Sequence, residues 1–532
     1  MSSAHLSIPF LRDAAARTIA SPGASHCWHR LADSYRRVDD EFVKGAVVQD
    51  LLAHTPEDGV AGFLRATWLA TMMNDDALLA VAGRIVQNIA PFDPDRLVAY
   101  LIFASRVLKQ ASDRAAFVQA VRFASFPDIL HKLGQHLSRN VEARPPDRTV
   151  GRVRKVALIT PYLNAYPHAP TAAALLQAGI LIGRGVQVAV FSSTDVKVPG
   201  MEHFLGGAEC SSLDPFDARK WKSHLPPGLV IRQGVDRFSV MGRWTQMLKE
   251  ISAFDPDLVM SVGFYSPLVA PLHEARPVLG LNVHSVAPLD PVDVWLCAFR
   301  EDAGETPAGW GGHLPECVAW YHPYRIPPTL PGLPGLPGLP GSAVARQELG
   351  LPAAALVLVS VGYRLETEIA GAWASRMIAL LRSQPGVTWL LVGGTGALPA
   401  ALAHAPAAQV RVLRARGDIP AVLRCCDIYV NPPRMGGGFS VAEAMAEGLP
   451  VVAYGGSDGG HKVGSAAAGD DAGYFSRLTA LIASADLRRQ EGQAMHALFS
   501  STLDLDQSAT SLLAACDLAL ERFRQRTTRV TS

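Results

Sequence analysis

The densest run of residues that could do chemistry lies between Asp427 and Gly456, DIYVNPPRMGGGFSVAEAMAEGLPVVAYGG. Three successive glycines, Gly436, Gly437 and Gly438, leave backbone N–H groups uncovered and let a ligand approach the main chain closely. Ser440 stands where it can cap a helix, whose positive end would then face a phosphate. Glu443, one turn further on, has a carboxylate able to accept paired hydrogen bonds from a ribose diol. Its plainer reading is a solvated helix carboxylate.

Such a turn works only if a strand and a helix hold it. Asp427–Val430 reads as a short buried strand, and Pro450-Val451-Val452-Ala453 as the next. Leu356–Val361, Thr388–Val392 and Val410–Leu413 repeat the theme with helical stretches between most of them. The same alternation appears earlier in Lys155–Thr160, Gln187–Phe191, Asp257–Val262 and Val278–Val283, with a helical stretch over Thr171–Arg184. Strand, helix and strand in succession predict two doubly wound α/β domains, 149–329 and 343–532, the latter closed by a C-terminal helix. Two such sheets face each other across a cleft at their carboxyl ends. Between them, residues 330–342 contain four LPG tripeptides, an extended linker too short for a collagen triple helix.

Residues 1–148 differ in pattern. Apolar residues recur at helical spacing, as in Phe63-Leu64-Trp68-Leu69-Met72, and Pro56, Pro91, Pro94 and Pro127 divide the segment. This predicts an all-α domain, paired helices of repeat type being one form of it.

Over 532 residues, 49% hydrophobic and 18% charged residues describe a globular chain of several domains. Lys and Arg number 49 against 48 Asp and Glu, a balance that argues against nucleic acid or an anionic membrane as main partner. The seven cysteines are scattered without a CxxC pair, so a zinc site or disulfide framework is not expected. The longest largely apolar stretch, Ala169–Ile182, is too short to span a bilayer, and the first 31 residues lack a signal-peptide core. A cytoplasmic protein is the expectation.

Glu443-Ala444-Met445-Ala446-Glu447-Gly448-Leu449-Pro450-Val451-Val452 resembles the second half of the E-x7-E motif of GT-B glycosyltransferases, most closely the large retaining group called family 4. Gly417-Asp418-Ile419-Pro420, followed by Leu423 and Asp427-Ile428-Tyr429, is similar to another run of that family. Val361-Gly362-Tyr363-Arg364-Leu365-Glu366 resembles its Gly-Arg-Leu turn, with Tyr363 inserted. The resemblance implies an α/β, GT-B architecture of two facing Rossmann-like domains and a UDP- or GDP-sugar donor, with no cofactor and no metal. It implies a donor site of Gly362, Arg364, Gly393, Leu413, Gly436, Gly437, Gly438, Phe439, Ser440, Glu443 and Lys462. Arg364 would grip the diphosphate as a planar fork; its plain alternative is an ion pair with Glu366 or Glu368. Lys462 or Arg434 would replace the family's second phosphate cation, because Ile369 stands in its place. Met435 occupies the position of the motif's first glutamate and cannot accept hydrogen bonds from a donor sugar.

The loops after the earlier strands would form the acceptor side. His168 and His284 are its candidate general bases or phosphate-orienting groups, against structural roles for both. The implied function is transfer of a sugar to an acceptor, a protein being one candidate, with the α domain reading it. The alternatives are a nucleotide-sugar 2-epimerase and a non-catalytic scaffold with a decayed donor site. A phosphorylase is disfavoured because Lys462 is the one lysine after the linker.

Overall fold

The structure is a computed structural model. It describes the chain apart from residues 1–2, 76, 110, 112, 147–149, 166–167, 200–203, 206–215, 222–224, 284–285, 304–316, 324–345, 504 and 532. The LPG tract and His284 thus lie outside the described residues.

The chain opens with eight helices among the described residues: α1 (Ser3–Ala20), α2 (Ser25–Arg36), α3 (Glu41–His54), α4 (Gly59–Met72), α5 (Ala77–Val86), α6 (Pro94–Lys109), α7 (Arg114–Phe123) and α8 (Phe126–Asn140). Polar caps and prolines set several starts. Asp40 accepts from the N–H groups of Phe42 and Val43, and Asp113 from that of Ala116. Pro94 opens α6 and Pro127 occupies the first turn of α8, where its missing N–H costs nothing. Trp68 packs edge to face with Tyr35 and at a tilt against Trp28, and the Tyr100 hydroxyl donates to the Leu79 carbonyl.

The first α/β domain follows as β1 (Lys155–Thr160), α9 (Ala169–Gly183), β2 (Gln187–Ser192), β3 (Val230–Gln233), α10 (Val240–Phe254), β4 (Leu258–Val262), α11 (Val269–Ala275), β5 (Val278–Leu281), β6 (Val294–Cys297) and β7 (Val318–Tyr321). Its sheet is parallel throughout, in the order β3-β2-β1-β4-β5-β6-β7. The sequence pattern does not reveal β3, whose four residues are mostly exposed, or β6 and β7, four residues each.

The second comprises β8 (Leu356–Val361), α12 (Leu365–Glu368), α13 (Gly371–Ser383), β9 (Val387–Val392), β10 (Val410–Leu413), α14 (Ile419–Leu423), β11 (Ile428–Val430), α15 (Gly438–Ala446), β12 (Val451–Val452), α16 (Asp458–Val463), α17 (Asp471–Ala483) and α18 (Ala485–Thr502). Its parallel order is β10-β9-β8-β11-β12. Both sheets reverse their winding once, between β1 and β4 and between β8 and β11. Ligands of open α/β sheets bind at such points, outside the carboxyl ends of the strands.

The three parts are packed together. Phe204 lies edge-on to Phe63 and Phe103, and Phe264 to Phe117, so the helical region and the first α/β domain share one apolar core. The last helix, α19 (Leu505–Thr531), packs on the first α/β domain: Leu512, Cys516 and Ala519 join the cluster of Val156 and Leu158. Asp293 is the anchor of this helix. It accepts from the Val278 N–H and pairs with Arg526 at 2.9 Å. Among the described residues, no helix is long and apolar enough to cross a membrane.

Candidate active site

Four loops from the two switch points converge on the cleft: those after β1 and β4 on one side, those after β8 and β11 on the other. On the second side, the turn after β8 is built around a buried arginine. Arg434 donates to Asn431 Oδ1 at 2.8 Å, to the Val361 carbonyl at 2.9 Å and to Glu368 Oε2 at 2.9 Å. It also reaches the Tyr429 hydroxyl at 3.3 Å. Its side chain is only 4% exposed and that of Glu368 only 6%. Arg434 is therefore a structural cation that ties the end of β8 to the turn after β11, with its donors directed at protein acceptors.

Glu368 has a second partner. Its Oε1 accepts from Arg364 Nε at 3.0 Å, while the Arg364 side chain stays 38% exposed. Burial alone would raise the Glu368 carboxyl, yet the Arg434 and Arg364 guanidinium groups outweigh it and hold it below its ordinary range. The ion pair between Arg364 and Glu368 thus does not exclude a ligand role. It fixes one edge of the guanidinium and leaves the other for an oxyanion, near Gly436.

The glycines serve different needs. Gly437 has φ +95, a conformation costly for other residues, and a Cβ there would strike Asn431 and Arg434. Gly362 packs under the Arg434 guanidinium, and Gly393 lies against the Gly362 backbone, with its N–H donating to the Leu413 carbonyl at 2.9 Å. These two glycines permit tight packing of strand ends. Gly438 is overlaid by the side chains of Asp458 and Lys462, which brings Lys462 to the glycine turn. Leu413 is half-buried at the end of β10, and its neighbour Val412 lines a small pocket of about 10 Å³ with Leu365 and Gly393.

The expected cap of α15 is corrected. Gly437 is the N-cap and Ser440 lies within the first turn, where its hydroxyl donates to the Gly437 carbonyl and accepts from Tyr429. The helix still presents its N-terminus to the cleft, through the glycine amides. Glu443 sits one turn later, half-buried; burial, with Glu447 beside it, pushes its carboxyl up to about 7.

Two apolar residues flank the glycine turn and cross the cleft. Met435 is buried within the core shared by the helical region and the first α/β domain, and Phe439 packs on the other face of that domain. The position resembling the motif's glutamate is thus a packing position here.

On the first side, His168 caps α9, its Nδ1 accepting from the Thr171 N–H at 3.3 Å. Burial lowers its pKa to about 4, so the ring is neutral and carries its proton on Nε2. In that tautomer His168 can donate from Nε2 but has no free lone pair for a general base. Tyr162 lies tilted against His168 with centroids 5.4 Å apart, and its hydroxyl feels the Arg364 charge from across the cleft. Nearby, Phe299 packs against His461 of α16 at 4.2 Å and under Arg114 of α7. One residue therefore touches both of the other parts of the chain.

Sequence reasoning weighed Arg434 only as a spare phosphate cation and Glu368 only as a surface partner, and it gave Tyr162 no role. An arginine in the apolar run between Pro433 and Met435 was the available signal for a buried cation. Among the described residues, no cluster of three His, Cys, Asp or Glu is placed to hold a metal ion.

Residues 355–484 match the family described as glycosyl transferases group 1. The whole fold is similar to that of a mutant O-GlcNAc transferase of Thermobaculum terrenum, with a TM-score of 0.58 and 12% identity over 99% of this chain and 100% of the other. WaaG, a glycosyltransferase involved in lipopolysaccharide biosynthesis, aligns with 67% of this chain and 98% of its own at a TM-score of 0.41 and 14% identity. A putative UDP-N-acetylglucosamine 2-epimerase from Listeria monocytogenes aligns with 69% and 97% at 0.43 and 13%. No curated protein sequence matches the chain. The described structure is thus a GT-B fold preceded by an all-helical region, and the residues that match the group 1 family lie in its second α/β domain.

Proposed function

We propose that this protein transfers a sugar from a nucleotide-sugar to an acceptor hydroxyl or amide, a protein acceptor being the favoured one. The observation that carries the reading is the convergence of Arg364, Lys462 and the Gly436–Gly438 turn at the switch point of a domain matching glycosyl transferases group 1. In the reaction, the bond from the sugar anomeric carbon to the diphosphate breaks and a bond to the acceptor oxygen or nitrogen forms. The departing diphosphate takes the electron pair, and the proton of the acceptor hydroxyl or amide passes to its oxygen. Arg364, Lys462 and the amides at the α15 N-terminus would receive that charge without a metal. Glu443 in its carboxylate form would accept from the ribose hydroxyls, and His168 would donate from Nε2 to a phosphate or sugar oxygen. The donor base, UDP or GDP first, would lie by Leu413. The buried place of Met435 supports this over a decayed site, since the departure from the family motif has a packing role.

A thermal-shift titration with UDP, GDP, ADP, CMP and dTDP tests the donor site. A nucleotide at a hundredfold its dissociation constant stabilises by about 2.7 kcal/mol. One of them should shift the wild type, and Arg364→Ala should lose that shift. If none shifts the wild type, the scaffold reading replaces this one.

A further inference from the structure

Phe299 lies two residues beyond β6, at the cleft edge of the first sheet, and only 3% of it is exposed. Its ring meets that of His461 at 4.2 Å between centroids, tilted by 51°. From the helical region, the Arg114 guanidinium lies 5.1 Å from the Phe299 centroid. Arg114 also donates to Asp302 Oδ1 at 3.0 Å, in the short turn Arg300–Asp302 that follows Phe299. The phenylalanine is therefore fixed by two parts of the chain and presents a set surface to the third.

Across the cleft, His461 belongs to the last turn of α16. The first turn of that helix is held by its own domain: the Asp458 N–H donates to the Met435 carbonyl at 3.0 Å, and the Gly460 N–H to Ser457 Oγ at 3.0 Å. The last turn is gripped from the first α/β domain. Phe299 covers the His461 ring, the Ala298 backbone hydrogen-bonds it, and Glu301 Oε1 lies 3.9 Å from its Nδ1. Burial lowers the His461 pKa against the pull of Glu301, so a neutral ring makes the contact at pH 7. Lys462 is the next residue, about 100° further round the helix. Its Cε overlies the glycine turn, within 3.1 Å of where a Cβ on Gly438 would stand. A lysine ammonium rides on a flexible four-carbon stem, so its grip on a phosphate depends on how firmly its backbone is set.

We propose that Phe299 and His461 are positioning residues for the donor diphosphate: their ring contact holds the end of α16 so that Lys462 stays over the Gly436–Gly438 turn. The first α/β domain thereby takes part in binding a diphosphate whose cations, Arg364 and Lys462, both belong to the second. The inference rests on the donor site proposed above.

Calorimetric titration of the full chain with UDP, GDP, ADP and dTDP tests it. One of them should bind the wild type, and Phe299→Ala and His461→Ala should each weaken that binding about tenfold. His461→Phe, which keeps a ring against Phe299, should stay within about threefold of wild type. Lys462→Ala should weaken binding too, and adding Phe299→Ala to it should cost little more, because the ring contact acts through the lysine. Thermal melts show whether each variant is folded; the His461 side chain is 21% exposed, so its variants carry the test if Phe299→Ala does not fold. Affinity unchanged in the alanine variants, or losses that add in the double variant, would overturn the proposal and leave the donor site standing. His461→Phe as weak as His461→Ala would also overturn it, by assigning the loss to the hydrogen bond with Ala298. Binding of no nucleotide by the wild type would overturn it together with the donor site.

Discussion

Glu368→Gln probes the reasoning most sharply, because it removes a charge while keeping shape. The carboxylate accepts from Arg434 at 2.9 Å and from Arg364 at 3.0 Å. Arg434 is 4% exposed, so the variant leaves a buried guanidinium without its counter-charge. Breaking a buried pair in this way costs about 3–5 kcal/mol. The half-exposed Arg364 pair adds less than about 1 kcal/mol. For a domain of this size each kcal/mol moves Tm by roughly 2–4 °C, so a fall of about 6–20 °C is expected. The pH dependence follows from the lowered carboxyl. A group with a depressed folded pKa stabilises above its unfolded value and loses that contribution as pH falls through the folded one. The wild type should therefore lose its advantage over Glu368→Gln below about pH 4.5. Differential scanning calorimetry at pH 7.5 and 4 gives both numbers. A Tm within 2 °C (about 1 kcal/mol or less) of wild type at pH 7.5 would show that Arg434 is not held as described.

Arg364→Ala should contrast with it: Tm within a few degrees, since the pair is partly exposed, but loss of nucleotide-induced stabilisation. Met435→Glu restores the family's residue at a buried apolar position; we expect a loss of several kcal/mol in urea unfolding and no gain in transfer activity. Glu443, raised to about 7, should make nucleotide affinity climb between pH 6 and 8 as the carboxylate forms, measured by calorimetric titration. Glu443→Gln should bind weakly with no such slope. His168, lowered to about 4, binds fewer protons folded than unfolded between pH 4 and 6.5, so stability should rise with pH across that window. His168→Asn, which can still cap α9, should flatten that rise in chemical-denaturation curves.

Much of the fold was legible from local pattern. Parallel strands buried on both faces read as apolar runs, so Lys155–Thr160 and Leu356–Val361 were found with their bounds. The edge strand Val230–Gln233 has neither a buried face nor a long run, and left no such mark. The glycine turn and Glu443 stood out because one segment of chain contains strand, turn and helix together. Gly437 needs its φ for a local reason, and a local sequence shows it.

The partners of Arg434 could not be read that way. Glu368 is 66 residues away and Val361 is 73, and only the pairing of β8 with β11 brings them together. Likewise Asp293 and Arg526, 233 residues apart, meet because the last helix returns to the first α/β domain. Sequence alone specified residue types, periodicity and the turns that local backbone preference demands. Tertiary structure decided which charges are buried in pairs and which face of an arginine stays open to a ligand. The physical reason is that burial depends on contacts between distant segments, and burial sets the energy of a charge.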